Sequence, residues 1–152
     1  MSKPFIEYIA GSLDNINYVR VVMKHNGKFV LPFHRQSQKW DWVGGGVKKD
    51  ETALEAMKRE LFEETGAVDY DIFPIFDHES FNEDGTHFNN ARTYYAIVRE
   101  FANLPDESEM DKIGFFDKIP VDFRYGDNSE QNSEQKTEFF KRIEKLASAH
   151  FK

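Results

Sequence analysis

Three glutamates, Glu60, Glu63 and Glu64, crowd the end of the stretch "GGGVKKDETALEAMKRELFEETG", residues 44–66. On a helix advancing about 100° per residue they fall inside an arc of roughly 100°. Like charges at that spacing are mildly destabilising, and their place toward the helix C-terminus sets them against the backbone dipole. Taken alone, "KRELFEE" reads as a solvated face with Lys and Arg partners. Several local rules broken together point instead to a functional site. A hard divalent cation resolves the conflict, because Mg²⁺ takes oxygen ligands octahedrally from a few carboxylates, water and substrate phosphate. Three carboxylates on one face can hold more than one such ion. The glycines just upstream let backbone come close to it, with a carbonyl as a further ligand.

The elements that would position these acids are readable. Residues 52–65 predict a helix: Thr52 caps it and Glu55 completes a capping box, while Gly66 suits a left-handed C-cap. Leu54, Met57 and Leu61 form its apolar stripe, about a quarter-turn from the acids. Ala53 and Ala56 fall on the carboxylate side, where small side chains leave room. Upstream, "NYVRVVMKHNGKFVLPFHR" reads as two strands around an "HNG" turn, with Pro32 marking an edge or a strand end. "RQSQKWDWV" leads into the glycines. Downstream, "VDYDIFPIFDHES" reads as a strand bent at Pro74, "FNEDGTHFNNA" as a loop or hairpin tip, and "RTYYAIVREF" as a strand. "ANLPDESEMD" is an acidic loop and "KIGFFDKIP" a short strand stopping at Pro120. Gly126, Asp127 and Asn128 mark a turn. "SEQKTEFFKRIEKLASAHF" is an amphipathic helix offering Phe139, Phe140, Ile143, Leu146 and Phe151 for packing. This order predicts an α+β fold, or mixed sandwich, with helices covering a sheet.

The chain has 152 residues, a length expected of a single domain spanning 1–152. A hydrophobic fraction of 39% with fifteen Phe can fill a core despite 31% charged residues. No apolar run approaches the roughly 20 residues of a membrane span, and the N-terminus carries no secretory pattern. With no Cys, disulfides, thiol nucleophiles and Cys-based zinc sites are excluded. A cytoplasmic protein is the expectation. The net charge of −7 argues against a broad grip on nucleic acid, but not against a small phosphorylated substrate reached through divalent cations.

The full spacing carries a resemblance. Gly45, then Glu51, then Arg59-Glu60-Leu61, Glu63-Glu64, Gly66 and an apolar Ala67 are similar, without a gap, to the box that defines the Nudix hydrolases. Many positions are fixed together across one loop–helix–loop unit. The flanks agree: a strand before "NGKFVLPFHR", a Trp-containing approach to the glycines, and "EMDKIGFFDKIP" ahead of a C-terminal helix. The resemblance implies a mixed β-sheet between helices, an α/β/α sandwich, and hydrolysis of a nucleoside diphosphate linked to another group. It implies Glu60, Glu63 and Glu64 as ligands of Mg²⁺ or Mn²⁺, with the Gly45 carbonyl as an addition. Glu63, Glu64 and Arg59 are its catalytic candidates, Arg59 and Glu51 forming an ion pair that fixes loop to helix. A later acidic residue often joins the metal or acts as base; Glu109 is the best match and Glu107 the second, an exposed acidic loop being the alternative. Gly45 and Gly46, with Arg35, are the substrate-contacting candidates. Many relatives have Pro before the paired glycines; this chain has Val43, which touches the shape of the loop and not the chemistry.

The mechanism implied is metal-assisted attack of water on a pyrophosphate, with a carboxylate taking the proton. The expected partner is a small phosphorylated nucleotide, with no membrane and no extended nucleic acid, and a homodimer is compatible with the sequence. A nucleoside triphosphate, as for a MutT-like pyrophosphohydrolase, is the leading substrate. An ADP-ribose or nucleotide-sugar pyrophosphatase and a non-catalytic nucleotide-binding module are the alternatives. A Nudix-fold isomerase of isoprenoid diphosphates would add a Cys that this chain lacks. His34, His78 and His87 lack ligand spacing and read as ordinary surface or core residues. Trp40, Trp42, Phe81, Phe88, Tyr94 and Tyr95 can stack a base, though core packing is the reading for most. Arg35 and Lys39, just before the glycines, can meet phosphates or remain solvated.

Overall fold

The computed structural model describes residues 5–124 and 132–151; the turn expected at Gly126, Asp127 and Asn128 lies outside them. Among the described residues eight strands form one sheet: β1 (Phe5–Ile9), β2 (Tyr18–His25), β3 (Lys28–His34), β4 (Lys39–Trp40), β5 (Val43–Gly46), β6 (Ala67–Phe81), β7 (His87–Phe101) and β8 (Met110–Phe116). Helix α1 (Ala53–Thr65) follows β5, and α2 (Ser133–Ala147) runs into a 3₁₀ turn at Ser148–Phe151. The order is β1-β6-β7-β2-β3-β4, with β5 also paired to β2 and β8 to β3. β2 and β7 pair in parallel, and the other ladders are antiparallel, so the sheet is mixed. No helix among the described residues is long and apolar enough to cross a membrane.

Strand alternation builds the two layers around this sheet. Val19, Val21 and Met23 of β2 cluster with Ala56, Met57 and Leu61 of α1, joined by Tyr94, Ala96 and Val98 of β7. The residues between them point the other way. Val22, Leu31 and Tyr95 cluster with Phe140, Ile143 and Ala147 of α2. Central strands buried on both faces read as continuous apolar runs, which is why "VRVVM" and "YYAIV" do not alternate cleanly. Full burial of each such side chain contributes about 1.5–3 kcal/mol. The result is the α+β sandwich expected, with a mixed sheet between helices.

The β2–β3 hairpin turns at Asn26 and Gly27, both with positive φ (50° and 80°), the conformation that the "NG" pair favours. β6 shifts register between Pro74 and Phe76, where the bend was expected. Other expectations need correction. Pro32 lies inside β3, opposite Ile113 of β8; the β2–β3 ladder has already stopped at Phe29, so the missing N–H interrupts nothing there, and its carbonyl accepts Asp41 N–H at 3.0 Å. The glycine run is a strand and not a loop: Val43 to Gly46 pair with Val21 to Tyr18, and Val43 is buried in the core. On α1 the core takes Ala56 in place of Leu54, which is exposed. On α2 Leu146 is exposed although Phe140 and Ile143 are buried, and the Phe151 side chain is outside the described ones.

The β1–β2 connection is held by a buried carboxylate. Asp77 of β6 is inaccessible to solvent and accepts the Gly11 and Leu13 amides, each at 3.0 Å, and Arg92 Nε and Nη2 at 2.6 and 3.0 Å. Burial pushes its carboxyl up, but Arg92 and the amides outweigh it, and the net shift is below the ordinary value. A depressed folded pKa stabilises above the unfolded value of about 4 and loses that contribution as pH falls through the folded one. Asp77→Ala leaves a buried cation and two amides without an acceptor, so we expect a loss of about 3–5 kcal/mol, or roughly 6–20 °C in Tm. Melting curves should also show the wild type, and not the variant, losing the part of its stability linked to this carboxyl as pH falls from about 4 through the lower folded pKa.

Candidate active site

Helix α1 is fixed at both ends by its sequence. Thr52 Oγ1 accepts Glu55 N–H at 3.1 Å while Glu55 Oε1 accepts Thr52 N–H at 2.9 Å, a complete capping box. At the far end Gly66 is left-handed (φ 78°) and donates to Phe62 O. A Cβ there would also lie 2.2 Å from the Ala102 carbonyl oxygen, so glycine is required twice over. The last turn contains no basic side chain to meet its carbonyls. Glu60, Glu63 and Glu64 therefore sit where the helix dipole is least favourable to them.

One guanidinium organises the approach to these acids. Arg59 Nε and Nη2 donate to both oxygens of Glu51 at 2.8 and 3.0 Å, and Nη2 also donates to Gly46 O at 3.0 Å. Nη1 donates to Glu60 Oε1 at 2.8 Å and lies 3.5 Å from Glu63 Oε2. Glu51 Oε1 further accepts Lys48 N–H at 3.0 Å. Arg59, then the Lys48 amide, hold the Glu51 carboxyl down at about 2. Loop, strand and helix are thus tied by one fork.

The other acids are pushed the opposite way. Burial raises the Glu64 carboxyl to about 9 against the pull of the Gly44 amide, and Glu60, Asp41 and Glu109 add to the rise. Its Oε1 accepts Gly44 N–H at 2.8 Å. Burial also raises Glu60, more than Arg59 lowers it. Gly45 lies against the Glu60 carboxylate, where a Cβ would meet Oε1 at 2.4 Å. Gly44 is tighter still, its Cβ position being 2.2 Å from Val19 O and 2.9 Å from Arg20 Cα.

Glu60, Glu63 and Glu64 line a single cavity of about 450 Å³ together with Gly44 and Gly45. The acidic loop lines the same cavity with Glu107 and Glu109, and also Pro105 and Ser108. Sequence reasoning passed over Ser108, since an isolated Ser in an acidic loop carries no spacing signal. It likewise passed over Asp41, whose carboxyl burial raises above its ordinary value. Arg35 and Gly46 lie outside the lining: Arg35 donates to Asp111 Oδ1 at 2.7 Å, and the Gly46 carbonyl is taken by Arg59. Lys39, on β4, is outside it too.

His34 is closer to the cavity than its isolation in the sequence suggested. Its Nδ1 accepts Ser37 N–H at 3.2 Å, and its Nε2 stands 3.6 Å from Glu109 Oε2. His78 is buried, which with Arg20 lowers it to about 4, and His87 pairs with Asn90 beside the hairpin tip. Of the aromatic candidates Trp42, Tyr94 and Tyr95 are core residues, whereas Phe88 is exposed.

The donor set fits a hard divalent cation in kind: carboxylate oxygens at one cavity, two of them in surroundings that disfavour uncompensated negative charge. As the side chains stand, no group of three or more His, Asp or Glu among the described residues is gathered as a cage. Glu60 is turned to Arg59, and Glu64 to the Gly44 amide. The two glycines separate structure from binding. Gly44→Ala meets backbone, so we expect a large drop in Tm or failure to fold. Gly45→Ala meets only the end of a side chain, so it should fold but displace Glu60 and weaken Mn²⁺ binding, as titration calorimetry of the folded variant would show.

Comparison with known proteins agrees with this geometry. The NUDIX domain family matches residues 16–135. No curated protein matches the sequence. Among solved structures, the chain resembles the Bacillus subtilis pyrophosphohydrolase BsRppH at 19% identity and a TM-score of 0.74, covering 97% of this chain and 92% of that one. A NUDIX-family hydrolase from Clostridium perfringens is 18% identical, with a TM-score of 0.59 over 86% of this chain and 99% of that one. A C. elegans Ap4A hydrolase is 12% identical, with a TM-score of 0.56 over 87% and 98%. With the family matched over most of its length, and the fold matched beyond it, the chain belongs to the Nudix family.

Proposed function

We propose that this protein hydrolyses the pyrophosphate bond of a nucleoside diphosphate linked to another group, with a nucleoside triphosphate as leading substrate. The observation that carries the reading is the one cavity lined by three carboxylates of α1, by Glu107 and Glu109, and by the strand glycines Gly44 and Gly45. Family membership supports it, as do fold relatives described as a pyrophosphohydrolase and an Ap4A hydrolase. Glu60, Glu63 and Glu64, with the Gly45 carbonyl, are the residues that would hold Mg²⁺ or Mn²⁺. A divalent cation bound there supplies neutralisation of the pyrophosphate and a more acidic water.

The chain's own groups do the rest. Glu109, with Glu107 as the second candidate, lines the same cavity and is the carboxylate available to take the proton of the attacking water. Arg59 and Glu51 keep the loop against the helix, with Arg59 also engaging Glu60. The Gly44 and Gly45 backbone walls one side without any side chain to obstruct a phosphate. Arg35 is left out of the substrate set, because Asp111 and the Met110 carbonyl already engage it.

The test is a hydrolysis panel of nucleoside triphosphates, dinucleoside polyphosphates, ADP-ribose and nucleotide sugars, with Mg²⁺ or Mn²⁺ and with chelator, both products being identified. Turnover should vanish with chelator and return with either ion. Glu60→Gln and Glu64→Gln should keep the apo Tm within a degree or two. Their turnover should fall by more than the roughly 10–100-fold typical of outer-shell partners, with Glu63→Gln close behind. Full turnover without divalent ions would remove the reading, and faster turnover of ADP-ribose or a nucleotide sugar than of any triphosphate would reassign the substrate.

A further inference from the structure

We infer that Ser108 is a positioning residue which sets the acidic loop over the carboxylate helix through its hydroxyl; the inference rests on the reading of the site given above. Ser108 is buried, and both its hydrogen-bonding directions are used. Its Oγ donates to the Glu63 carbonyl at 2.6 Å and accepts the Met110 amide at 3.1 Å. The Glu63 carbonyl belongs to the last turn of α1, whose oxygens have no helical partner. One of these, Phe62 O, takes Gly66 N–H; Glu63 O takes Ser108.

The consequence is geometric. The turn carrying Glu63 and Glu64 and the loop carrying Glu107 and Glu109 are joined by a single side-chain atom. Ser108 N–H donates to Pro105 O at 3.0 Å, closing the loop on itself, and Arg35 N–H donates to Glu109 O at 3.0 Å, holding its outgoing end to β3. Only the hydroxyl spans from loop to helix within this set. A carboxylate that must meet a water in the cavity needs its placement fixed to within a fraction of an ångström, yet the Glu109 side chain is 80% exposed and has little packing of its own to hold it. Its placement is borrowed from the residue before it.

Ser108→Ala removes both bonds with one oxygen, and Ser108→Thr keeps them. The Ala variant should lose about 10–100-fold in kcat, as for other outer-shell partners, with KM within twofold and Tm lowered only slightly. The Thr variant should remain within about threefold of wild type. Hydrogen exchange reports the latch without reference to turnover: the Met110 amide should exchange at least tenfold faster in Ser108→Ala and not in Ser108→Thr. An Ala variant with wild-type kcat, equal losses in both variants, a loss confined to KM, or unchanged Met110 exchange would each overturn the inference. A wild-type protein inactive on every substrate of the panel with Mg²⁺ or Mn²⁺ would overturn the proposed function and the catalytic half of this inference, whereas the exchange result judges the latch itself.

Discussion

An arginine offers five N–H groups in one rigid plane, and Arg59 spends them on three separate stretches of backbone. Glu51 belongs to the loop entering α1, Gly46 to the end of β5, and Glu60 to the helix itself. The spacing of these three segments is the site. A lysine would keep the charge and lose the fork, since it cannot present parallel donors in a fixed plane. The glycines are the counterpart of this constraint: β5 must lie close enough to β2 that a Cβ at Gly44 would strike Val19 O. That closeness aims the Gly44 amide at Glu64.

Acids at the two ends of one loop–helix segment carry opposite perturbations because their surroundings differ. Glu51 is drawn down by Arg59 and the Lys48 amide, and Glu64 is driven up by burial despite the Gly44 amide. Glu51 is thereby a fixed anion within the scaffold, whereas Glu64 lies where negative charge is costly. The helix contributes to this tension, since no basic residue occupies its last turn. The stability forgone there is modest per pair and is readily borne by the core on either side of the sheet.

Much of the site was legible because it is local. The capping box and the Gly66 cap join residues within one loop–helix–loop unit, so spacing alone gives them, and the Arg59–Glu51 pair followed from the resemblance of that unit to the Nudix box. The rest depends on contacts between distant segments. Ser108 comes to the cavity, and His34 to the side of Glu109, through the pairing of β8 with β3, and nothing in the local sequence announces that. The fold shows the same division. The "NG" turn and the bend near Pro74 were readable, whereas the glycine run was mistaken for loop because strand propensity disfavours Gly and only pairing with β2 makes it a strand. Leu54 and Ala56 exchanged places: Ala56 packs with Met57 and Leu61 in the cluster against β2 and β7, and Leu54 is left to solvent.

The parallel partnership of β2 and β7 has a kinetic side. Arg20 and Thr93 stand opposite one another although they are 73 residues apart in sequence. On a growing chain, β2 would be made long before the strand that completes its ladder. Until then an apolar edge, buried on both faces in the finished protein, has only its hairpin partner and the glycine strand to cover it. Contacts of such long range slow folding, and unpaired strand edges invite association with other chains. On one side of β2 the hairpin, closed by Asn26 and Gly27, pairs Lys24 and His25 and the glycine strand pairs Tyr18 to Val21, while the other side waits for the middle of the molecule to arrive.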